Sequence, residues 1–268
     1  MALNKNPYPG GKGLSFRNFI NLMPPHDIYI EPFLGAGSVF LHNRPASKNI
    51  LIDISPAIIQ PFISLHGYFN PSDPSFCFHD FEFFVKAAWQ TPDQSIRFYC
   101  CDSIHYIVNS IFTPDTLIYC DPPYPLSSRS SGKIYDHELS DSDHIQLLSS
   151  LKTKDCMIMI SSYPNSLYNS SLKKWNHIDF NSVVRSGDVR RASDHGPGVR
   201  CVERCWFNFD FPSILHDYSF IGSDFRERER IKRFIFRHIS QLNNMPALER
   251  NALLHSIRST FFLDDRSL

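Results

Sequence analysis

The sequence lacks net charge: 27 Lys and Arg balance 27 Asp and Glu over 268 residues. With no global field to draw a polyanion, any nucleic-acid surface must be a local patch. A disulfide framework is missing too, because seven Cys is an odd number and the spacings are irregular. The close pairs are Cys100-Cys101 and Cys201 with Cys205. Adjacent cysteines rarely chelate one metal, and Cys201 and Cys205 alternate with apolar residues as in a strand. No metal site is therefore expected, and a reducing cytoplasm is the expected setting. No apolar run approaches membrane-spanning length, and the N-terminal residues show no basic-then-apolar signal pattern, so no membrane partner is expected. Internal repeats and low-complexity tracts are also missing. What is left is one large domain with a full core and an appendage, expected over residues 1–212 and 213–268.

The most informative stretch present is Thr116-Leu117-Ile118-Tyr119-Cys120-Asp121-Pro122-Pro123-Tyr124. Its apolar run predicts a buried strand. Two prolines then forbid continuation and stiffen the exit, which holds Asp121 and Tyr124 at the strand's carboxyl end. In open α/β sheets ligands bind at that end. A carboxylate, the Pro122 carbonyl and a ring suit a planar base carrying an amine. The amine would donate to Asp121 and Pro122, and the base would stack on Tyr124. A strand followed by a proline turn with a solvated Asp is the plainer alternative.

Three earlier strands end in the same way. Ile28-Tyr29-Ile30 leads to Glu31-Pro32-Phe33-Leu34-Gly35-Ala36-Gly37-Ser38, a G-x-G turn feeding a helix. Position 40 is Phe, so the third glycine of the dinucleotide fingerprint is missing and a pyrophosphate is not favoured. Glu31 instead suits a cation or an amine. Asn49–Asp53 predicts a second strand, with Asp53 placed either for ribose hydroxyls or simply to start the next helix. Residues 57–93 are expected to be mostly apolar and aromatic helix, broken by Pro and Ser near 70–75. Another strand, Ile96–Cys101, precedes Asp102.

Beyond the proline exit, the Ser-rich segment 126–136 with Arg129 and Lys133 is expected to be a loop over the site. A helix near 141–152, a buried strand at 156–163, a helix near 165–175 and two last strands near 178–184 and 199–209 follow. The segment 185–200, with Arg190, Arg191 and Arg200, is either an exposed hairpin tip or a phosphate-contacting arm. From Asp224 to Leu242, Ile231, Ile235, Ile239 and Leu242 share one helical face while Arg226, Arg230, Arg233 and Arg237 line another. A break at Asn243–Pro246 and a second helix over 247–257 make a helical hairpin. Near the N-terminus, Pro7-Tyr8-Pro9-Gly10-Gly11-Lys12-Gly13 forms a glycine-rich turn before a helix, with Lys12 available for a carboxylate or phosphate.

Taken together, Tyr8–Lys12, Glu31–Ser38, Asp53, Asp102 and Asp121–Tyr124 resemble the Dam-like family of S-adenosylmethionine-dependent DNA adenine-N6 methyltransferases. They occur in the family's order over about residues 5–210, and Glu203–Asn208 is similar to the last strand of its catalytic domain. The resemblance implies a Rossmann-like α/β fold, with a mostly parallel twisted sheet and helices on both faces. It implies S-adenosylmethionine as cofactor and DNA, duplex or locally opened, as partner. Tyr8 and Lys12 would contact the cofactor's adenosine and methionine ends. Gly35 and Gly37 would let the backbone pass beside it, and Glu31 and Phe33 would line its pocket. Asp53 would bind ribose and Asp102 would lie by the adenine. Asp121, Pro122 and Tyr124 would be catalytic, with Asp121 also bordering the cofactor. Arg129, Lys133, Arg190, Arg191 and Arg200 would contact nucleic acid. The family's target-recognition insert is reduced here, since Asp53 and Asp102 are only 49 positions apart. That leaves room for about two helices and implies short or relaxed sequence specificity. An RNA adenine methyltransferase, a DNA cytosine-N4 methyltransferase and an inactive nucleic-acid binder stay open.

Overall fold

A computed structural model of the chain describes residues 12–13, 15–66, 85–90, 95–129, 135–184 and 199–261. Eight strands form one sheet. In chain order they are β1 (Ile28–Glu31), β2 (Lys48–Asp53), β3 (Val85–Gln90), β4 (Ile96–Cys101), β5 (Thr116–Cys120), β6 (Met157–Ser162), β7 (Asn176–Val184) and β8 (Val199–Phe207). Their spatial order is β3-β4-β2-β1-β5-β6-β8-β7. The central run β4-β2-β1-β5-β6 is parallel. β3 and β8 each pair antiparallel with their neighbours. The order reverses between β1 and β5, so the crevice of a doubly wound sheet opens beside their carboxyl ends. This is the expected Rossmann-like α/β fold, a mostly parallel sheet with helices on both faces.

Strand periodicity decides which helices cover which face, because successive side chains point to opposite sides. On one side Ile30, Ile52, Ile118, Cys120, Ile158, Ile160 and Trp206 share a buried cluster with residues of three helices. These helices are α4 (Ser103–Asn109), α5 (Asp141–Leu151) and α6 (Ser166–Ser171). The opposite side presents Tyr29, Leu51, Leu117, Tyr119 and Met159, all buried. It is covered by α1 (Phe16–Ile20), α2 (Ser38–His42) and α3 (Pro56–His66). Ring contacts mark that packing: Phe19 on Tyr119, Phe40 on Tyr29 and Phe62 on Phe98.

One expectation is overturned here. Residues 85–90, read as part of an aromatic helical stretch, form the edge strand β3 antiparallel to β4. Val85-Lys86-Ala87-Ala88-Trp89-Gln90 has no strict alternation to announce a strand, and pairing with β4 supplies what local pattern does not. Between Asp53 and Asp102 the described residues hold a helix over Pro56–His66 and the strands β3 and β4, and 67–84 and 91–94 lie outside the described residues.

The chain divides into two compact units, 1–217 and 218–268. The second unit contains α7 (Phe225–Asn243) and α8 (Ala247–Phe261). Asp224 caps α7 by accepting from the Glu227 amide at 2.8 Å. Among the described residues, no helix is long and apolar enough to cross a membrane.

Candidate active site

The strand register places Asp121 one step past the end of β5, level with Ser161 on β6. The antiparallel pairing of β6 with β8 sets Ser161 opposite Cys205, so Glu203 lies one alternation further along the same face. That is the face covered by α1, and Lys12 lies at the start of this helix, where its carbonyl accepts from the Phe16 amide at 2.9 Å. Four elements distant in sequence thus deliver Lys12, Asp121, Ser161 and Glu203 to one spot.

Lys12 Nζ donates to Asp121 Oδ1 at 2.6 Å and to the Tyr124 hydroxyl at 2.8 Å. It also pairs with Glu203 Oε1 at 3.0 Å. Ser161 Oγ donates to the same Asp121 oxygen at 2.9 Å. The Tyr124 hydroxyl donates to Glu203 Oε1. Asp121 Oδ1 is therefore occupied, while Oδ2 accepts nothing among the described residues. Burial pushes the Asp121 carboxyl upward, Lys12 opposes the rise and Glu203 adds to it. Burial alone would lower the Lys12 ammonium, yet Asp121 and Glu203 hold it above its ordinary range. Burial, with Asp121 and Glu203 nearby, raises the Tyr124 phenol. It stays protonated and able to donate.

Beside this cluster lies a cavity of about 950 Å³ lined by residues from the carboxyl ends of β1, β2, β4 and β5. Glu31, Phe33, Gly35, Gly37, Asp53, Asp102, Lys12 and Asp121 all border it. Glu31 is buried and accepts at Oε2 from the Tyr29 hydroxyl (2.8 Å) and the Phe40 amide (3.2 Å). Its carboxyl is raised to about 8, chiefly by burial, with the Tyr29 bond opposing. Asp53 ties the glycine turn to the second strand. Its Oδ2 accepts from the Gly35 amide at 3.0 Å and its Oδ1 from the Ser55 amide at 2.9 Å. Asp53 thus braces the turn just ahead of α3 and also borders the cavity. Asp102 likewise caps α4 through the His105 amide at 2.8 Å while bordering the cavity.

The glycines have separate reasons to be glycine. Gly35 (φ 48°) and Gly37 (φ 59°) are left-handed. A Cβ on Gly37 would also lie 2.6 Å from the Phe62 ring, so α3 could not pack so closely.

Two positions read from the sequence differ in the structure. Tyr124, expected to present its ring to a base, is only 8% exposed. Its hydroxyl is bound by Lys12 and Glu203 and its ring meets Tyr163 edge-on. Aromatic side chains that do border the cavity include Phe33 and Tyr135. Arg129, expected at a phosphate, is turned inward. Its guanidinium pairs with both oxygens of Glu138 at 3.1 and 2.5 Å and lies 5.5 Å from the Tyr135 ring centre. With the Arg129 side chain 3% exposed, this fork anchors the segment that borders the cavity. Tyr8, Lys133, Arg190 and Arg191 lie outside the described residues, as does the Arg200 side chain. The backbone of Arg200 pairs with Val183 in the β7–β8 ladder.

Ser161, Glu203 and Tyr135 were not singled out from sequence. Glu203 did carry a signal. In Glu203-Arg204-Cys205-Trp206-Phe207 it shares the alternation of Cys205 and Phe207, and an acid on a buried strand face needs a partner.

The fold and the row of carboxylates at its strand ends define a Rossmann-like α/β scaffold with an acid-lined cavity at the switch point of its sheet. In sequence, residues 8–86 match the model of the D12 class N6 adenine-specific DNA methyltransferases. The resemblance read from the motifs thus has independent support over that span. A search among curated proteins finds no match. Solved structures with similar folds include a precorrin 8W decarboxylase from Methanobacterium thermoautotrophicum, with 12% identity, 78% of this chain and 96% of that one covered, and a TM-score of 0.45. Another is a SAM-dependent methyltransferase from Agrobacterium tumefaciens, with 14% identity, coverages of 72% and 60%, and a TM-score of 0.39. A dimethyladenosine transferase from Plasmodium falciparum matches at 14% identity, coverages of 75% and 63%, and a TM-score of 0.37.

Proposed function

We propose that the chain is a DNA adenine-N6 methyltransferase using S-adenosylmethionine. The observation that carries this reading is Asp121. It is a partly buried acid at the end of a central strand, with one oxygen pinned by Lys12 and Ser161 and the other taking no described hydrogen bond, at the rim of an acid-lined cavity. The cavity's donor set fits the cofactor, because Glu31, Asp53 and Asp102 suit a cationic, hydroxyl-bearing ligand and would repel a phosphate. When bound, S-adenosylmethionine supplies an electrophilic methyl group on a sulfonium.

The chain's own residues account for orientation. Asp121 Oδ2 and the Pro122 carbonyl accept the two hydrogens of the adenine amine, which turns the nitrogen lone pair toward the cofactor side. As positive charge builds on that nitrogen, it faces acceptors already in place. A paired base hides its amine, so the target adenine leaves the stack before it reaches Asp121. Tyr135 offers an aromatic surface bordering the cavity. Tyr124 would stack on the base only by leaving its bonds to Lys12 and Glu203. The short interval between Asp53 and Asp102 supports short or relaxed sequence specificity.

The test is transfer of a tritiated methyl from S-adenosylmethionine to duplex DNA, single-stranded DNA and RNA, followed by nucleoside analysis. N6-methyladenine in DNA is expected. N4-methylcytosine, or transfer confined to RNA, would replace this reading. Methylome sequencing of an expressing host should show a short motif, and a long strict one would remove the specificity claim.

A further inference from the structure

Glu203 lies outside the motifs that mark the site, on β8, an antiparallel strand between β6 and β7. Yet it is 4% exposed, and its Oε1 holds both the Lys12 ammonium and the Tyr124 hydroxyl. We propose that Glu203 is a positioning residue for methyl transfer. Acting through Lys12 and Tyr124, it keeps one oxygen of Asp121 pinned and the other turned to the incoming amine. This rests on the function proposed above.

The argument is one of sharing. An ammonium is a compact charge with three donors, so a second acceptor nearby holds it to one side of the first carboxylate. Here it is divided between two carboxylates, 2.6 Å from Asp121 and 3.0 Å from Glu203. It therefore takes only Oδ1 of Asp121, leaving Oδ2 for substrate. Among the described residues, two carboxylates thus converge on the Lys12 ammonium, beside the nitrogen that becomes positive. The same Glu203 oxygen draws the Tyr124 hydroxyl inward, which explains why that ring is packed away from the cavity rim. The other titratable groups that interact with Asp121 or Lys12 among the described residues are Glu31, the phenols of Tyr29, Tyr119, Tyr124, Tyr135, Tyr163 and Tyr168, and the thiols of Cys120 and Cys205.

Glu203→Gln keeps an acceptor for the Tyr124 hydroxyl and removes the charge. The expected result is a fall in kcat of about tenfold or more, with S-adenosylmethionine affinity by calorimetry within about threefold of wild type. Losing the neighbouring carboxylate also lowers the Asp121 carboxyl. The acid limb of the kcat profile should then move to lower pH by about half a unit or more. Glu203→Asp keeps the charge but draws it back from Lys12. Its kcat should fall while its acid limb stays in place, a split that a merely structural role would not produce. Wild-type kcat in the Gln variant with an unmoved limb overturns the proposal.

Should the Gln variant not fold, the Asp variant decides. Lost kcat with retained cofactor affinity upholds the proposal, and retained kcat overturns it. A readout independent of turnover separates this inference from the function beneath it. The ¹³C carboxyl signal of Asp121, assigned by its loss in Asp121→Asn, should titrate at lower pH in Glu203→Gln than in wild type. If wild type transfers no methyl group, the proposed function fails and this titration still decides whether Glu203 sets the state of Asp121. An unchanged titration overturns that role.

Discussion

Asp121→Ala leaves the Lys12 ammonium bound to Glu203 and removes the acceptor meant for the substrate amine. Methyl transfer should fall by about 100-fold or more, while S-adenosylmethionine still binds in calorimetry; retained turnover would remove Asp121 from the reaction. Glu31 carries a second prediction. Its carboxyl sits at about 8 because it is buried, so at neutral pH it is largely protonated and must ionise to face a cation. Affinity for the sulfonium cofactor should therefore rise with pH and level off above about 8, by up to about tenfold per unit below it. Calorimetry across that range checks this, and Glu31→Gln should flatten the dependence. Residues named by strand-end position, Glu31, Asp53, Asp102 and Asp121, were legible because a strand followed by a turn fixes where its last side chain goes. Lys12 was legible as a cation near the site, but its partners were not. They lie 109 positions away at Asp121 and on the far strand β8, and only sheet order brings them together.

Among the larger elements, the segment bordering the cavity is held by the Arg129–Glu138 fork, and the Glu138 carboxylate also accepts from the Tyr135 amide at 3.1 Å. Breaking this buried pair with Arg129→Ala should cost about 3 kcal/mol in urea denaturation. It should also weaken cofactor binding. A phosphate contact would behave differently, since its loss reduces the salt dependence of DNA affinity and spares stability. The turn before α2 offers a test of close packing. Gly37→Ala places a Cβ against Phe62 at a left-handed φ, so a loss of about 1–2 kcal/mol is expected, together with weaker cofactor binding. The parallel strands were readable as apolar runs because both of their faces are covered. β3 was not, because an edge strand takes its structure from its partner, and its mixed residues carry no period of their own. The helix near 141–152 was readable locally, and in the structure Ser140 and Asp143 complete a capping box at its start.

At the scale of the whole molecule, balanced formal charge conceals how unevenly protonation responds to folding. Burial lowers both His26 and His144 to about 4. His26 stacks on His216 at 3.8 Å between ring centres, while His144 bonds Tyr168 at 3.0 Å beneath α5, with Asp141 and Asp143 only partly offsetting its burial. Above about 6.5 these rings are neutral whether the chain is folded or not, and they do not affect stability. As pH falls below that value, the unfolded chain takes up protons that the folded chain refuses, so their contribution turns destabilising until about pH 4. Glu31 acts in the opposite sense over part of this window. Raised to about 8, it binds its proton in the folded state first and favours folding as pH drops toward its ordinary value. The total slope mixes both signs, so a difference between variants is the clean measurement. His144→Gln keeps a polar partner for Tyr168 but cannot titrate. Between about pH 6 and 5, its stability in urea should fall less steeply than wild type by up to about 1.4 kcal/mol per pH unit, the value for one proton. Equal slopes would mean that the buried ring takes up its proton in the folded chain as readily as in the unfolded one.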